Sequence, residues 1–301
     1  MKASGIVRPE CYLCLYDKAR SKPTFCTLLE SCFPAESYSR ALGCSDAERN
    51  LQVVAGMARL HARWWGHPKK PPLDWLLHPA QDFGGLVLNG FVHNTKVGMQ
   101  ALGKVYGDVY APIVEWMPKL RRRHRYIIQQ LFKPPLTMAH GDAHIENVFF
   151  HERFPGGVCF VDFGNMMFSQ GMCDVAFYVV NSLQVADRRA QEEAMVTHYH
   201  TTLVAEGVKD YTIERCRLDY VLNLWRPLIS LCTIGPSLVE QKRKGTGVFS
   251  PTPSADDQRM REMYDKLNER IVAALIDHQW LELIMEGPQS CGLCSCISFC
   301  Y

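Results

Sequence analysis

The stretch from Leu136 to Gly164 limits the choice of fold more than any other part of this sequence. It alternates three short apolar runs with loops rich in Gly, His, Asp and Asn, and the runs are 136–139, 148–150 and 158–161. Such short runs between turn-forming loops predict strands rather than helices. The segment Phe154-Pro155-Gly156-Gly157 joins the last two runs and predicts a hairpin. The centre of the chain is therefore expected to hold a small β insert.

Helical patterns surround this insert. Apolar residues recur at helical spacing in the segments 94–106, 110–132, 172–186, 188–206, 211–234 and 255–286. An earlier helix begins at Ser45-Asp46-Ala47-Glu48, which matches a capping box with Ser45 as the N-cap. Two β-rich runs at 11–16 and 24–29 predict an antiparallel pair. The predicted fold class is α+β, a mostly helical body with a short β start and a small central hairpin.

Composition excludes several classes of protein. The net charge is +2, so no global field indicates binding to nucleic acid, and the basic run at 119–125 is interpreted as a solvated helix face. No run approaches the ~18 apolar residues that a membrane-spanning helix needs. The 13 cysteines are too few for a disulfide scaffold, and an odd number favours free thiols and a cytoplasmic location.

Three oxygen-bearing side chains are predicted to meet at one end of the hairpin. Asp142 and Asn147 lie on the loop His140-Gly141-Asp142-Ala143-His144-Ile145-Glu146-Asn147, and Asp162 follows the third strand directly. If the hairpin forms, Asn147 and Asp162 reach the same end of it. Mg²⁺ prefers such ligands together with phosphate oxygens. A further carboxylate could accept a proton from a hydroxyl nucleophile, a division of roles that suits phosphoryl transfer.

The pattern H-G-D-x-H-x-x-N, followed by a hairpin and D-F-G, resembles the catalytic and metal loops of one kinase superfamily. It comprises aminoglycoside phosphotransferases and choline-kinase-like enzymes, including ecdysteroid-kinase-like members. The resemblance implies a protein-kinase-like fold with a mostly helical C-lobe. Further similar stretches are Leu60–Trp65, Thr27–Glu30, which resembles the hinge strand, and Cys173–Phe177.

The resemblance also implies roles for individual residues. Asp142 would be the catalytic base, braced by His140, and Asn147 and Asp162 would bind Mg²⁺. The hinge residues Leu28, Leu29 and Glu30 would hold adenine through their backbone. His144 would be structural or near the acceptor, and Asp174 would anchor backbone. The implied function is an ATP- and Mg-dependent phosphotransferase acting on a small-molecule hydroxyl, with the acceptor undetermined.

The sequence departs from this family pattern before the hinge. Protein kinases place a glycine-rich loop, a strand lysine and a helix glutamate there. Here 27 residues precede Leu28, with a single glycine, Gly5, and the lysines Lys2, Lys18 and Lys22. The only G-x-G, at Gly245–Gly247, lies near the other end of the chain. We therefore expect weak or no activity, because phosphate-binding groups supply much of the electrostatic stabilisation.

Two interpretations stay open: a fragment of a kinase, and a catalytically inactive kinase-like protein with a binding or regulatory role. The predicted organisation is a remnant of N-lobe strands and hinge at 1–44, a C-lobe at 45–286 and a Cys-rich tail at 287–301. In the tail, a zinc site and palmitoylation are weaker interpretations than plain thiols. The sequence does not indicate the oligomeric state.

Overall fold

A computed structural model describes residues 8–17, 24–66, 73–82, 86–116, 123, 126–127 and 129–286. The Cys-rich tail at 287–301 and the early residues Lys2, Gly5, Lys18 and Lys22 lie outside these ranges. Most of the basic run at 119–125 also lies outside them.

Strands and helices occur in groups along the described chain: two strands come first, four more lie between Thr137 and Ser169, and the described residues after Met172 are mostly helical. The strands are β1 (Cys11–Asp17), β2 (Thr24–Leu29), β3 (Thr137–Ala139), β4 (Val148–Phe150), β5 (Val158–Phe160) and β6 (Met167–Ser169). The helices are α1 (Ala47–Arg63), α2 (Leu86–Val105), α3 (Gly107–Tyr110), α4 (Met172–Ser182), α5 (Val185–Ala205), α6 (Ile213–Asn223), α7 (Trp225–Lys244), α8 (Ala255–Asp277) and α9 (Trp280–Glu286).

The chain divides into two compact units. The first comprises residues 1–78 and 133–220, and the second comprises 79–132 and 221–301. Each unit combines segments that are far apart in sequence. The linear boundaries expected after residues 44 and 286 stay predictions.

The expected α+β fold class is confirmed, since the described residues are mostly helical and their strands form three two-stranded antiparallel sheets. The expected pair at the start of the chain is present as β1 and β2, whose side chains are exposed along both strands. The expected hairpin is present as β4 and β5, in which Val148 lies opposite Phe160 and Phe150 opposite Val158. These four side chains are buried, so the hairpin forms part of the core of the first unit.

Helix α1 begins one residue later than its sequence pattern predicts. Its N-cap is Asp46, whose carboxylate accepts hydrogen bonds from the amides of Glu48 and Arg49 at 3.0 and 3.2 Å. The expected Ser45 cap is therefore wrong. Both residue types cap helices well, so local preference does not distinguish them.

The predicted long helices near the end of the chain are interrupted. The expected 211–234 helix is two helices, α6 and α7, with Leu224 between them. The expected 255–286 helix ends at Asp277 and resumes at Trp280, because Gln279 takes a left-handed backbone conformation with φ of 47°. Periodicity continues across both breaks, so the sequence pattern does not reveal them.

Close helix packing organises the second unit. A Cβ added to Gly98 of α2 would lie 2.1 Å from the Cys232 carbonyl oxygen of α7, so the two backbones approach directly at this point. Trp225 and Trp280 are fully buried and stack with ring centroids 4.6 Å apart. The G-x-G at Gly245–Gly247 is the left-handed C-cap of α7 and the turn after it. None of the described helices combines the length and the hydropathy of a membrane-spanning segment.

Candidate active site

The loop between β3 and β4 is held by one buried carboxylate from α4. Asp174 accepts hydrogen bonds from the backbone amides of His140 at 2.6 Å and Gly141 at 2.9 Å. Gly141 has a φ of 82°, in the left-handed region that favours glycine. The loop therefore takes its shape from an acceptor 33 residues further along the chain.

Asp174 is itself held by two residues from α1 and α5. His61 Nε2 lies 3.1 Å from Asp174 Oδ2, and His61 Nδ1 lies 2.9 Å from the Tyr199 hydroxyl. Burial alone would raise the pKa of Asp174, but the hydrogen bond from His61 and the electrostatic influence of His61, His140 and the Gly141 amide together outweigh burial and lower that pKa. Burial raises the pKa of Tyr199 well above its ordinary value, so its hydroxyl stays protonated. Because an ionised carboxylate can only accept, His61 Nε2 is the donor to Asp174, and the Tyr199 hydroxyl lies within hydrogen-bond distance of His61 Nδ1.

His140 fastens the loop to the segment after β5. Its Nε2 lies 2.9 Å from the Val161 carbonyl oxygen, and its ring lies 4.6 Å from the ring of Phe163, centroid to centroid. The His140 side chain is buried, and its Nδ1 accepts a 3.3 Å hydrogen bond from the amide of Asp142. These contacts are those of a brace, since the ring is engaged with protein on both nitrogens.

Asp142 presents its carboxylate at the surface of this loop, with 27% of the side chain exposed. Its Oδ2 accepts a hydrogen bond from Asn165 Nδ2 at 3.3 Å. Its Oδ1 lies 3.9 Å from His144 Nε2, beyond hydrogen-bond distance. This carboxylate therefore retains accepting capacity toward solvent or a ligand.

Asn147 is buried and its amide has a determined orientation. Its Nδ2 donates to the backbone carbonyl of Asp142 at 2.9 Å and lies 3.4 Å from His144 Nε2. Because a carbonyl oxygen can only accept, Nδ2 must face it. Asn147 Oδ1 is thereby turned away from the Asp142 carbonyl, and it is an oxygen of the type that hard cations prefer.

His144 holds this orientation without carrying charge. Burial lowers the pKa of His144 to about 3, with smaller contributions from Arg40 and His140. The imidazole is therefore neutral at neutral pH, and its Nε2 can accept from Asn147. Nδ1 then carries the hydrogen, and this buried atom has no hydrogen-bond partner among the described residues.

Asp162 follows β5 at the open end of the hairpin. It has a left-handed backbone conformation with φ of 61°, and its exposed side chain accepts a hydrogen bond from the Gly164 amide at 3.4 Å. The backbone amide of Val161 donates to the Asn147 carbonyl at 3.0 Å. The hairpin thus brings Asn147 and the residue adjacent to Asp162 to one end, as the sequence predicts.

The expected adenine-binding residues lie at the end of β2 in the first unit. Leu28 and Leu29 end β2 with exposed side chains, and the amide of Glu30 donates to the Glu10 carbonyl at 2.7 Å. Within the described residues, no hydrogen bond or ion pair joins Leu28, Leu29 or Glu30 to Asp142, Asn147 or Asp162. The following residues approach the hairpin, since Arg153 donates to the Ser31 carbonyl at 2.8 Å.

Sequence reasoning missed two residues of this site. Asn165 contacts the Asp142 carboxylate, and Tyr199 supports Asp174 through His61. Asn165 follows the D-F-G motif directly, a position at which any turn-forming residue is unremarkable. Tyr199 lies 138 residues from its partner His61, so no local pattern could have indicated it.

The described part of the chain contains no cluster of three or more His, Cys, Asp or Glu side chains that could hold a metal ion. The expected magnesium ligands, Asn147 and Asp162, are one amide and one carboxylate, so they are not a cluster of this composition. The zinc interpretation of the tail concerns residues outside the described ranges.

A known protein family matches the part of the sequence that contains this site. The model of the ecdysteroid kinase-like family matches residues 90–210, a range that includes the loop at 140–147 and Asp162. The chain is similar to the ecdysteroid kinase-like family. The resemblance predicted from the H-G-D-x-H-x-x-N pattern is thus confirmed. No curated protein matches the sequence.

Of three similar solved structures, one reaches a TM-score above 0.5 and the two others are more distant. An ethanolamine kinase from Plasmodium vivax is 11% identical with a TM-score of 0.51, and the match covers 92% of this chain and 68% of that one. An amicoumacin kinase solved with AMP-PNP and Ca²⁺ is 15% identical with a TM-score of 0.49, and the match covers 89% and 72%. An aminoglycoside-3'-phosphotransferase of type VIII is 15% identical with a TM-score of 0.38, over 76% and 74%. The ethanolamine kinase match shows that the fold is kinase-like.

Proposed function

We propose that this protein is a phosphotransferase that uses ATP and Mg²⁺ to phosphorylate a hydroxyl group of a small molecule. The observation that carries the proposal is the 2.9 Å hydrogen bond from Asn147 Nδ2 to the Asp142 carbonyl. It places a carboxylate on the same loop as an amide oxygen that is turned away from the Asp142 carbonyl. Phosphoryl transfer needs these two functions side by side, a proton acceptor and a cation ligand.

In this proposal Asp142 orients the acceptor hydroxyl and takes its proton. The hydroxyl oxygen forms a bond to the γ-phosphorus, and the bond between that phosphorus and the ADP oxygen breaks. Asp142 suits this role because its carboxylate is partly exposed and Oδ1 has no hydrogen bond from the described residues. His140 acts only through the loop, since its ring nitrogens are engaged with the protein.

The residues present fit a magnesium ion. Asn147 offers an amide oxygen, and Asp162 offers an exposed carboxylate whose one hydrogen bond within the described ranges comes from the Gly164 amide. Both are hard oxygen donors, and Mg²⁺ in kinases takes few protein ligands because phosphate oxygens and waters complete its coordination. The ion would neutralise charge on the transferring phosphates when bound.

Adenine binding is assigned to the backbone of Leu28, Leu29 and Glu30, with the Glu30 amide already engaged by Glu10. The segment resembles a hinge strand in sequence. No disulfide joins any of the nine described cysteines, in keeping with a cytoplasmic location for an ATP-using enzyme.

We also propose that turnover is low. The residues before Leu28 contain no glycine-rich loop, so few groups can bind the β- and γ-phosphates. The second candidate function follows from the same observation, a kinase-like protein that binds ligands or regulates a partner without catalysis. The two differ in one property, the transfer of phosphate to an acceptor.

Calorimetry of Mg-ATP binding tests the metal assignment. We compare the wild type with Asp162→Asn and with Glu152→Gln, which neutralises an exposed carboxylate at the turn end of the same hairpin. The expected result is weaker binding for Asp162→Asn and unchanged binding for Glu152→Gln. Equal affinities for all three proteins would remove Asp162 from the nucleotide site.

A screen for ATP consumption against a panel of hydroxyl-bearing metabolites tests the reaction. With an active acceptor, Asp142→Ala should lower kcat by about 10²–10⁴, the range for loss of a positioned proton acceptor. Retained turnover in Asp142→Ala excludes Asp142 as the base. Nucleotide binding without consumption of ATP on any acceptor supports the non-catalytic candidate.

A further inference from the structure

Asn165 lies at the end of a single 3₁₀ turn that directly follows Asp162. The turn spans Phe163–Asn165, and the Met166 amide closes it on the Phe163 carbonyl. Its first residue, Phe163, lies against the His140 ring. The contact of Phe163 therefore joins the turn to the β3–β4 loop independently of Asn165.

The backbone of Asn165 packs directly on Gly141. A Cβ added to Gly141 would lie 2.0 Å from the Asn165 carbonyl oxygen, so only glycine permits this approach. Gly141 is in turn held by Asp174 through its amide. The position of the Asn165 backbone is thus determined by packing, independently of the Asn165 side chain.

From this position the Asn165 side chain reaches Asp142. Its Nδ2 donates to Asp142 Oδ2 at 3.3 Å. Among the described residues this is the only hydrogen bond to the Asp142 carboxylate, because His144 Nε2 lies 3.9 Å from Oδ1. A carboxylate with one oxygen held by a donor keeps one rotamer, and its second oxygen is left for a ligand.

We propose that Asn165 is a positioning residue for Asp142, an inference that rests on the proposed function. By holding Oδ2, Asn165 directs Oδ1 toward the hydroxyl of the acceptor. The gain is one of geometry, since a misplacement of about 1 Å at a reacting group can cost up to about 10²-fold in rate. Asn165 touches neither the reacting oxygen nor the phosphate in this proposal.

Steady-state kinetics with Mg-ATP and an active acceptor from the panel give the first test. We expect Asn165→Ala to lower kcat about tenfold while the KM for ATP changes less than about twofold, since only orientation is lost. Asn165→Asp should lower kcat further, because it replaces a donor by a like charge beside Asp142. Glu152→Gln is the control and should match the wild type. A kcat for Asn165→Ala within twofold of the wild type would overturn the proposal.

Nuclear magnetic resonance of the full chain labelled with ¹⁵N-asparagine gives a test that needs no turnover. Asn165→Ser assigns the Asn165 side-chain amide resonances. We expect Asp142→Ala to shift these resonances and Glu152→Gln to leave them in place. Unchanged resonances in Asp142→Ala would overturn the contact and with it the proposal.

The two experiments separate this inference from the proposed function. If the resonances shift but the wild type consumes no ATP with any acceptor, the contact stands and the proposed function fails. If the wild type is active and Asn165→Ala is equally active, the proposed function stands and Asn165 has no positioning role.

Discussion

Removal of the Asp174 carboxylate should loosen the β3–β4 loop by a predictable amount. Asp174→Ala leaves three buried donors without their acceptor, His61 Nε2 and the amides of His140 and Gly141. A buried donor without a partner costs about 1–3 kcal/mol, and breaking a buried pair costs about 3–5 kcal/mol. We expect Asp174→Ala to lower the free energy of unfolding by about 4 kcal/mol, whereas the whole free energy of unfolding of a domain is about 5–15 kcal/mol.

Hydrogen exchange measures this loss at the atoms concerned. In peptides that cover residues 136–147, the protection of the backbone amides should fall by about 10²–10³-fold in Asp174→Ala, because each 1.4 kcal/mol is a factor of ten. Asp174→Asn keeps the shape of the side chain but turns an NH₂ group toward one of the donors. It should therefore also lose protection. A fall of less than threefold in both variants would refute the assignment of Asp174 as the anchor of the loop.

The contribution of Asp174 to stability should depend on pH in a definite direction. The pKa of Asp174 is lowered in the folded protein, so its stabilisation is present above the unfolded value of about 3.8 and is lost as the pH falls. The difference in stability between the wild type and Asp174→Asn should therefore shrink from pH 5 toward pH 2.

Asp219 is the matched control for this titration. It is equally buried, accepts from Tyr211 and Arg215, and has a raised pKa, chiefly because burial disfavours its charge. A carboxyl whose pKa is raised in the folded protein stabilises the fold at pH values below its unfolded pKa. This contribution is lost as the pH rises through the folded pKa. The difference between the wild type and Asp219→Asn should therefore shrink from pH 4 toward pH 7. The same direction for both variants would contradict the assigned pKa shifts.

Two further predictions concern the helices, and both are measured by urea unfolding monitored by circular dichroism. Asp46→Ala should lower the free energy of unfolding by about 1 kcal/mol, and Ser45→Ala should leave it nearly unchanged, because Asp46 caps α1. The reverse order of effects would show that Ser45 is the cap. Gly98→Ala should lower the free energy of unfolding by about 1–3 kcal/mol because its Cβ meets the Cys232 backbone. Gly103→Ala on the same helix has open space and should raise the free energy of unfolding by about 0.5–1 kcal/mol. Equal effects at the two glycines would contradict the close packing of α2 on α7.

The features that could be predicted from the sequence are those with a short-range cause. The β4–β5 hairpin follows from two apolar runs separated by Pro and Gly, and its pairing brings Asn147 to the end where Asp162 follows. The loop at 140–147 is recognisable because residue types and spacing occur together. The N-cap of α1 could not be decided in the same way, since Ser45 and Asp46 are neighbours with similar capping preference.

The support behind the site could not be predicted because its partners are distant in sequence. His61 and Tyr199 are 138 residues apart, and Asn165 reaches Asp142 across 23 residues. Neither contact has a periodicity or a spacing that a pattern could reveal. The breaks at Leu224 and Gln279 could not be predicted either, since the apolar pattern continues through them.

The amino-acid sequence alone determined which chemical groups make up the proposed site, namely the carboxylates of Asp142 and Asp162 and the amide of Asn147. Local backbone preferences and turn residues are sufficient for that, because these groups lie on one loop and one hairpin. Only the tertiary structure decided how those groups are aimed. The orientation of Asn147 depends on the Asp142 carbonyl, and the shape of the loop depends on buried Asp174 from a later helix. Buried polar groups must find partners wherever the fold brings them, and that requirement operates through space rather than along the chain.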